Sequence, residues 1–246
     1  MNFRQPYVLC INILVFCLGS VAWAQDKKVN PYDTLTIRDR YGLRLGVDLF
    51  KPARTALEDN FTGFEVVADY RLTKKHWLAF EAGFDDRTRN DDNINTTVEG
   101  AYIKGGFDYN LHNNWLGMEN QIYVGLRVGV SSFSNTLNSF TILSNDPFFG
   151  ETTVAPGTEF DGLSASWGEA LLGLRFEALP NIYVNMNVQF KRIINNTDPP
   201  GFKNFHIPGF NEVNDFGEFG FGFSYSVSYF IPFYQRTREK ATGNKK

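Results

Sequence analysis

Between Gln121 and Phe133 apolar and polar positions alternate almost without a break. Ile122, Val124, Leu126, Val128 and Val130 hold one parity, and Tyr123, Gly125, Arg127, Gly129 and Ser131 hold the other. Side chains of a strand point alternately to its two faces, so one face is aliphatic and the other small or polar, with a single arginine. A helix, with its period of about 3.6 residues, would spread both sets around its circumference. The β-branched residues and interleaved glycines also disfavour a helix. A soluble sandwich or barrel would turn the aliphatic face inward. A membrane barrel would turn it to lipid and leave Arg127 in the bore.

The same alternation predicts further strands over Tyr41 to Phe50, Gly63 to Leu72, Trp77 to Asp85, Thr97 to Asn110, Leu163 to Leu179, Ile182 to Ile194 and Phe219 to Phe233. In the last, Phe219, Phe221, Phe223, Tyr225, Val227, Tyr229, Ile231 and Phe233 share one face, against glycine and serine on the other. Lys51 to Thr62, Asp86 to Thr96, Ser134 to Gly162 and Asn195 to Glu218 read as long connections. Thr73 to His76, Leu111 to Asn120 and Pro180-Asn181 read as shorter ones. Long and short alternate, as in an up-and-down membrane barrel, whereas a Greek-key sandwich has no reason to do so.

The polar parities carry Arg44, Asp48, Glu65, Asp69, Arg71, Glu81, Lys104, Asp108, Arg127, Glu169, Arg175, Glu177 and Lys191. Both signs occur at similar frequency, which suits a bore filled by ion pairs, and about eight strands leave a bore that side chains just fill. The expectation is a structural charge network, with Asp108 and Glu169 as the carboxylates nearest Arg127. Tyr41, Phe50, Tyr70, Trp77, Phe84, Tyr109, Tyr183, Phe190 and Phe233 lie near strand ends and are expected in interfacial girdles.

Composition narrows the picture. The chain has 246 residues, 16% of them aromatic, with a mean hydropathy of -0.28. Arg4, the apolar run Val8 to Leu18 and the small residues of Ala22-Trp23-Ala24 form a secretory signal cleaved after Ala24. Both cysteines, Cys10 and Cys17, fall inside it, so disulfides, thiol catalysis and cysteine-ligated metals are excluded downstream. Loss of Arg4 leaves 23 basic and 27 acidic residues, a net charge of -4, without a basic patch for nucleic acid.

Five segments resemble a family of outer-membrane β-barrel proteins of unknown function from Gram-negative bacteria. They are Y-G-L-R-L-G-V-D-L (Tyr41 to Leu49), G-F-E-V-V-A-D-Y-R (Gly63 to Arg71), A-Y-I-K-G-G-F-D-Y-N (Ala101 to Asn110), N-W-L-G-M (Asn114 to Met118) and I-P-G-F-N (Ile207 to Asn211). The resemblance covers roughly Tyr41 to Phe233 and implies fold and location only. Many outer-membrane barrels end on an aromatic residue. Here Phe233 and Tyr234 would serve, but a basic tail follows them.

Candidate chemistry is thin. His206, with Asp198, Asp215 and Ser144, could in principle form an outer-rim hydrolytic set. A solvated or loop-packing histidine is the plainer reading. Asp85, Asp86, Asp91 and Asp92 offer oxygen ligands, but without the regular spacing of a dedicated calcium loop. Phe140, Phe148, Phe149, Phe160, Phe202, Phe205 and Phe210 in the long connections would either cap the barrel mouth or bind a partner.

The resulting expectation is an all-β, up-and-down antiparallel transmembrane β-barrel of about eight strands at 41–234. It follows a signal peptide (1–24) and a short periplasmic lead (25–40) and precedes a basic tail (235–246). The expected role is structural or surface-binding in the outer membrane, without catalysis, cofactor or metal. A lipid-modifying enzyme and a narrow, porin-like channel are the alternatives. Expected partners are outer-membrane lipid and lipopolysaccharide, the barrel-insertion machinery, and an unknown surface ligand on loops 134–162 and 195–218. The protein is expected to be a monomer.

Overall fold

The computed structural model describes residues 36–90, 93–112, 119–142, 152–154, 156–213 and 217–239. The expected leader, Trp115, Asp91, Asp92, Ser144, Phe148, Phe149, Asp215 and the tail beyond residue 239 lie outside the described residues. Arg38–Thr237 forms one compact unit.

Eight long strands build this unit: β1 (Thr36–Asp48), β2 (Phe61–Arg71), β3 (His76–Asn90), β4 (Ile94–Asn110), β5 (Gln121–Ile142), β7 (Thr158–Leu179), β8 (Ile182–Asn196) and β11 (Phe219–Glu239). Short strands β6 (Thr152–Val154), β9 (His206–Ile207) and β10 (Asn211–Glu212) and one helix, α1 (Phe50–Leu57), lie between them. The long strands pair in the order β4-β3-β2-β1-β11-β8-β7-β5, and pairing of β4 with β5 closes the sheet into a ring. Neighbours in sequence are antiparallel neighbours in space, so the topology is up-and-down. Closure leaves no long edge strand unpaired.

The alternation has the sense of a barrel turned inside out. Leu45, Val66, Phe80, Ile103, Leu126, Leu172, Val188 and Phe223 are exposed; Val128 reaches 60% and Phe221 77%. The intervening charged side chains are buried, Asp108 completely. The end with the turns Thr73 to His76 and Pro180-Asn181 is the lower end and the end with α1 the upper.

The strands run further than their apolar alternation. β3 continues to Asn90, β4 starts at Ile94, β5 reaches Ile142 and β7 starts at Thr158. The expected long connections at Asp86 to Thr96 and Ser134 to Gly162 are thus largely strand, and the third connection is short while the fourth is not. Antiparallel backbone bonds go on above the apolar belt, where Thr88, Thr97, Ser132, Ser134 and Ser164 face outward and carry no hydropathy signal.

The connection expected over Lys51 to Thr62 holds α1. Asp48 Oδ1 accepts the Lys51 N–H at 2.8 Å, Pro52 sits in the first turn where no donor is needed, and Ala53, Arg54, Ala56 and Leu57 favour helix. The girdle also needs correction. Trp77 and Tyr183 are buried inside the barrel because both lie on the inward parity; Tyr41, on the outward parity of β1, is covered instead by the Tyr234 ring stacked on it at 5.1 Å; Phe50, Phe84, Phe190 and Phe233 face outward.

Candidate functional site in the barrel interior

The interior is layered. At its lower end Trp77, Tyr183 and Phe230 form a small apolar cluster, with Phe230 edge-on to Trp77 at 6.4 Å and to Tyr183 at 6.1 Å. The Arg44 guanidinium covers the Trp77 ring at 3.7 Å. Two of the expected charges, Arg71 and Glu177, sit beside this cluster rather than in mid-bore. Arg40 joins them: its guanidinium bonds Glu177 at 2.8 Å, and its carbonyl accepts from Arg71 at 2.6 Å. Arg71 also pairs with Glu119 at 3.2 Å.

Above this layer an ion-pair chain crosses the bore. Arg44 pairs with Asp69 (2.5 Å), and Arg175 lies 3.5 Å from both Asp69 and Asp108. Arg127 pairs with Asp108 (2.8 Å) and Glu81 (3.2 Å). Lys104 pairs with Glu81 (2.5 Å) and Glu65 (3.2 Å), and the Tyr102 hydroxyl donates to Glu65 at 2.5 Å. Burying these charges is tolerable because each meets an opposite one within contact distance.

Arg127 takes one expected carboxylate and not the other. It stands opposite Glu169 in the register but leans to Asp108 and Glu81. Gly125 opens the space for this, since a Cβ there would sit 2.4 Å from Asp108 Oδ1. Glu169 instead accepts the Trp167 indole N–H (2.7 Å) and lies 3.5 Å from Lys191. Asp48 works differently again: it holds the start of α1 and accepts from Ser224 at 2.6 Å.

Below Lys191 the β8 and β11 side is neutral. Asn185, Asn187, Gln189, Ser224, Ser226 and Ser228 are buried there. Tyr123 donates to Asn185 (2.8 Å), Asn185 to Ser226 (3.2 Å) and Gln189 to Asn187 (2.9 Å). Between this wall and Asp69, Glu81, Arg127 and Arg175 lies a cavity of about 20 Å³, enough for about one water.

A peptide plug fills the upper mouth. β9 and β10 form a hairpin whose Ile207 and Phe210 are completely buried against Tyr102, Val98, Phe133, Leu163, Trp167 and Ile193. Phe210 meets Trp167 edge-on at 6.1 Å. Gly209 is the pin. Its N–H donates to Asp85 (2.8 Å), its carbonyl accepts from Lys191 (2.7 Å), and Lys51 pairs with Asp85 (2.5 Å). At φ 81° and with Tyr102 2.6 Å from where a Cβ would stand, only glycine fits.

The hydrolytic set does not assemble among the described residues. His206 lies in the plug, 2% exposed, and neither ring nitrogen has a hydrogen-bond partner. Burial pushes its imidazole down to about 3, against the Asp85 carboxylate and with help from Arg87, Lys51 and Arg54. Asp198 accepts from the Asn196 side chain and the Asn204 N–H. The acidic group also separates: Asp85 points into the barrel and Asp86, next on β3, to the other face.

Of the loop aromatics, Phe210 anchors the plug, Phe160 stands edge-on to Phe202 at 5.7 Å, and Phe205 lies under Arg89 at 4.8 Å. Sequence reasoning missed Tyr102, Trp167 and the amide wall, and it offers Asp85 as an oxygen ligand rather than as the partner of Gly209 and Lys51. Strand parity marks all of them as inward, but the neutral polarity of the amide wall and the aromatic rings of Tyr102 and Trp167 give no reason to single them out.

A ring of eight strands, charges inside, aliphatic residues outside and one mouth stoppered by its own loop, defines a small, filled up-and-down β-barrel. The chain belongs to the family described as a domain of unknown function, DUF6048, whose model matches residues 6–236. No curated protein matches it. Among solved structures, Ail, the attachment invasion locus protein of Yersinia pestis, aligns over 79% of this chain and 99% of its own at 8% identity. The TM-score of 0.38 is too low for that likeness to bear on role.

Proposed function

We propose that the protein is a non-conducting, non-enzymatic barrel of the bacterial outer membrane that holds its upper loops as a structural or binding surface. The carrying observation is the inverted burial: a continuous exposed belt of Leu, Val, Ile and Phe around a core of paired Arg, Lys, Asp and Glu. In water such a belt would drive aggregation; in a bilayer it is the expected surface. Residues 1–24 act as the export signal in this reading, and Phe233 and Tyr234 present the terminal aromatics to the insertion machinery. Lipid and lipopolysaccharide surround the belt, and the segments 134–142, 156–162 and 195–213 offer the surface for a ligand. The protein acts as a monomer.

Ion pairs across the bore, the Trp77 cluster below and the plug above support a closed lumen. Fractionation of the producing cell and heat-modifiable migration on gels test the location. A detergent-independent protein in the soluble periplasmic fraction would sink it. Planar-bilayer recording tests closure, and a stable open conductance overturns it. Against enzyme chemistry, phospholipid and lipid A deacylation are expected to be absent, and turnover abolished by His206→Ala would overturn that part.

A further inference from the structure

α1 is amphipathic in the opposite sense to a helix lying on a protein in water. Its polar side turns to the barrel. Lys51 reaches Asp85, Thr55 Oγ1 accepts the Gly63 N–H at 3.0 Å, and Arg54 bonds Glu58 while covering the Phe61 ring at 4.0 Å. Its apolar side, made by Phe50, Ala53, Ala56 and Leu57, faces away, and Leu57 is 70% exposed. A surface helix of a soluble domain buries its apolar stripe instead.

This apolar side continues the belt below it. Phe50 packs edge-on against Phe223 of β11 at 5.6 Å, and exposed Leu49 leads into the helix from β1. The level of α1 is set by its bond to Gly63, which pairs with Asp85. One step along, β3 already presents Asp86, opposite which β4 presents Glu99, and opposite that β5 presents Ser134. The apolar surface therefore reaches higher beside β1 and β11 than beside β3 to β5.

We propose that α1 is a lipid collar: Phe50, Ala53, Ala56 and Leu57 lie among the outer-leaflet acyl chains of the surrounding bilayer. This rests on the outer-membrane reading. The occupant is acyl chain because the face is small, purely hydrocarbon and continuous with the exposed belt. The helix is pinned to the barrel from its polar side, so the collar is a fixed part of the lipid-facing surface.

Site-directed spin labelling tests it. Ala56→Cys and Val128→Cys are made separately with Cys10→Ser and Cys17→Ser, labelled with a nitroxide and reconstituted into phosphatidylcholine vesicles. Collision with oxygen, which partitions into hydrocarbon, is compared with collision with a water-soluble nickel chelate. Oxygen is expected to exceed the chelate at both positions. Oxygen preference at Val128 with chelate preference at Ala56 overturns the collar and leaves the membrane reading standing. Protection of Ala56 from both reagents overturns it in favour of a covering protein or second copy. Chelate preference at both positions overturns the membrane reading, and the collar with it.

Discussion

The two halves of the barrel interior solve the same problem with different chemistry. On β1 to β5 and β7, Arg44, Asp69, Glu81, Lys104, Asp108, Arg127 and Arg175 meet across the bore as ion pairs. On β8 and β11, Asn185, Asn187, Gln189, Ser224, Ser226 and Ser228 serve, with Lys191 the charge that reaches up to the plug. A buried charge demands an opposite one at contact distance, whereas amides and hydroxyls satisfy one another at low cost and take little room. The neutral wall thereby leaves space for bulk from elsewhere: Phe210 packs over Gly220, where a Cβ would stand 2.8 Å from its ring.

The sharpest break in this contrast is on the charged side. Arg127→Ala leaves Asp108 and Glu81 short of a cation and is expected to cost about 3–5 kcal/mol. Denaturant unfolding in detergent reads it, and a midpoint equal to wild type would mean those carboxylates are not paired as described. Phe210→Ala empties the plug and is expected to cost about 3 kcal/mol locally. Faster proteolysis within 197–213 and brief current steps in planar bilayers are the readouts. An intact, silent plug would show that Gly209 alone holds it.

His206 gives the comparison a pH dependence. Its folded value, lowered to about 3, lies below the ordinary 6.5, so between these the unfolded chain binds a proton that the plug refuses. His206 therefore contributes no pH dependence above about 6.5, and stability falls as pH drops from there toward 3, by at most about 1.4 kcal/mol per pH unit. His206→Leu should flatten the unfolding-midpoint profile in that window; parallel profiles would place the imidazole in water. The smallest effect belongs to the neutral wall. Asn187→Ala is expected to cost about 1 kcal/mol in the same unfolding assay. A loss as large as that of Arg127→Ala would erase the contrast.

Period-two alternation made most of the barrel readable from residues alone. It shows in the Ile122 to Val130 parity and in the aromatic row of β11, and it put Arg127 and Asp108 together. What it could not supply was reach. The Arg127–Glu81 contact depends on which glycines open the bore, and cross-bore neighbours follow from the stagger of the strands, which no single strand encodes. Trp77 and Tyr183 read as girdle residues by their nearness to a strand end, against their inward parity. The upper parts of β3, β4, β5 and β7 read as loop because their Ser, Thr and Asn lie outside the belt, where backbone pairing needs no hydropathy pattern. The inverted face of α1 was missed because Phe50, Ala53, Ala56 and Leu57 are separated by Lys51, Pro52, Arg54 and Thr55, which read as a solvated turn.

The sequence of β11 between Phe219 and Tyr234 contains no charged residue. As the last strand of the barrel it pairs with β1, the first, on one side and with β8 on the other. The seam where the first and last strands meet is therefore zipped by backbone bonds and small contacts such as Ser224 to Asp48, and no ion pair of the central chain joins β11 to β1. Arg127 and Lys104 can find Asp108, Glu81 and Glu65 within β2 to β5 before the cylinder is shut, whereas Arg175 reaches Asp69 only across the closed bore. The final latch, β11 against β1, is then electrically silent along its own length from Phe219 to Tyr234.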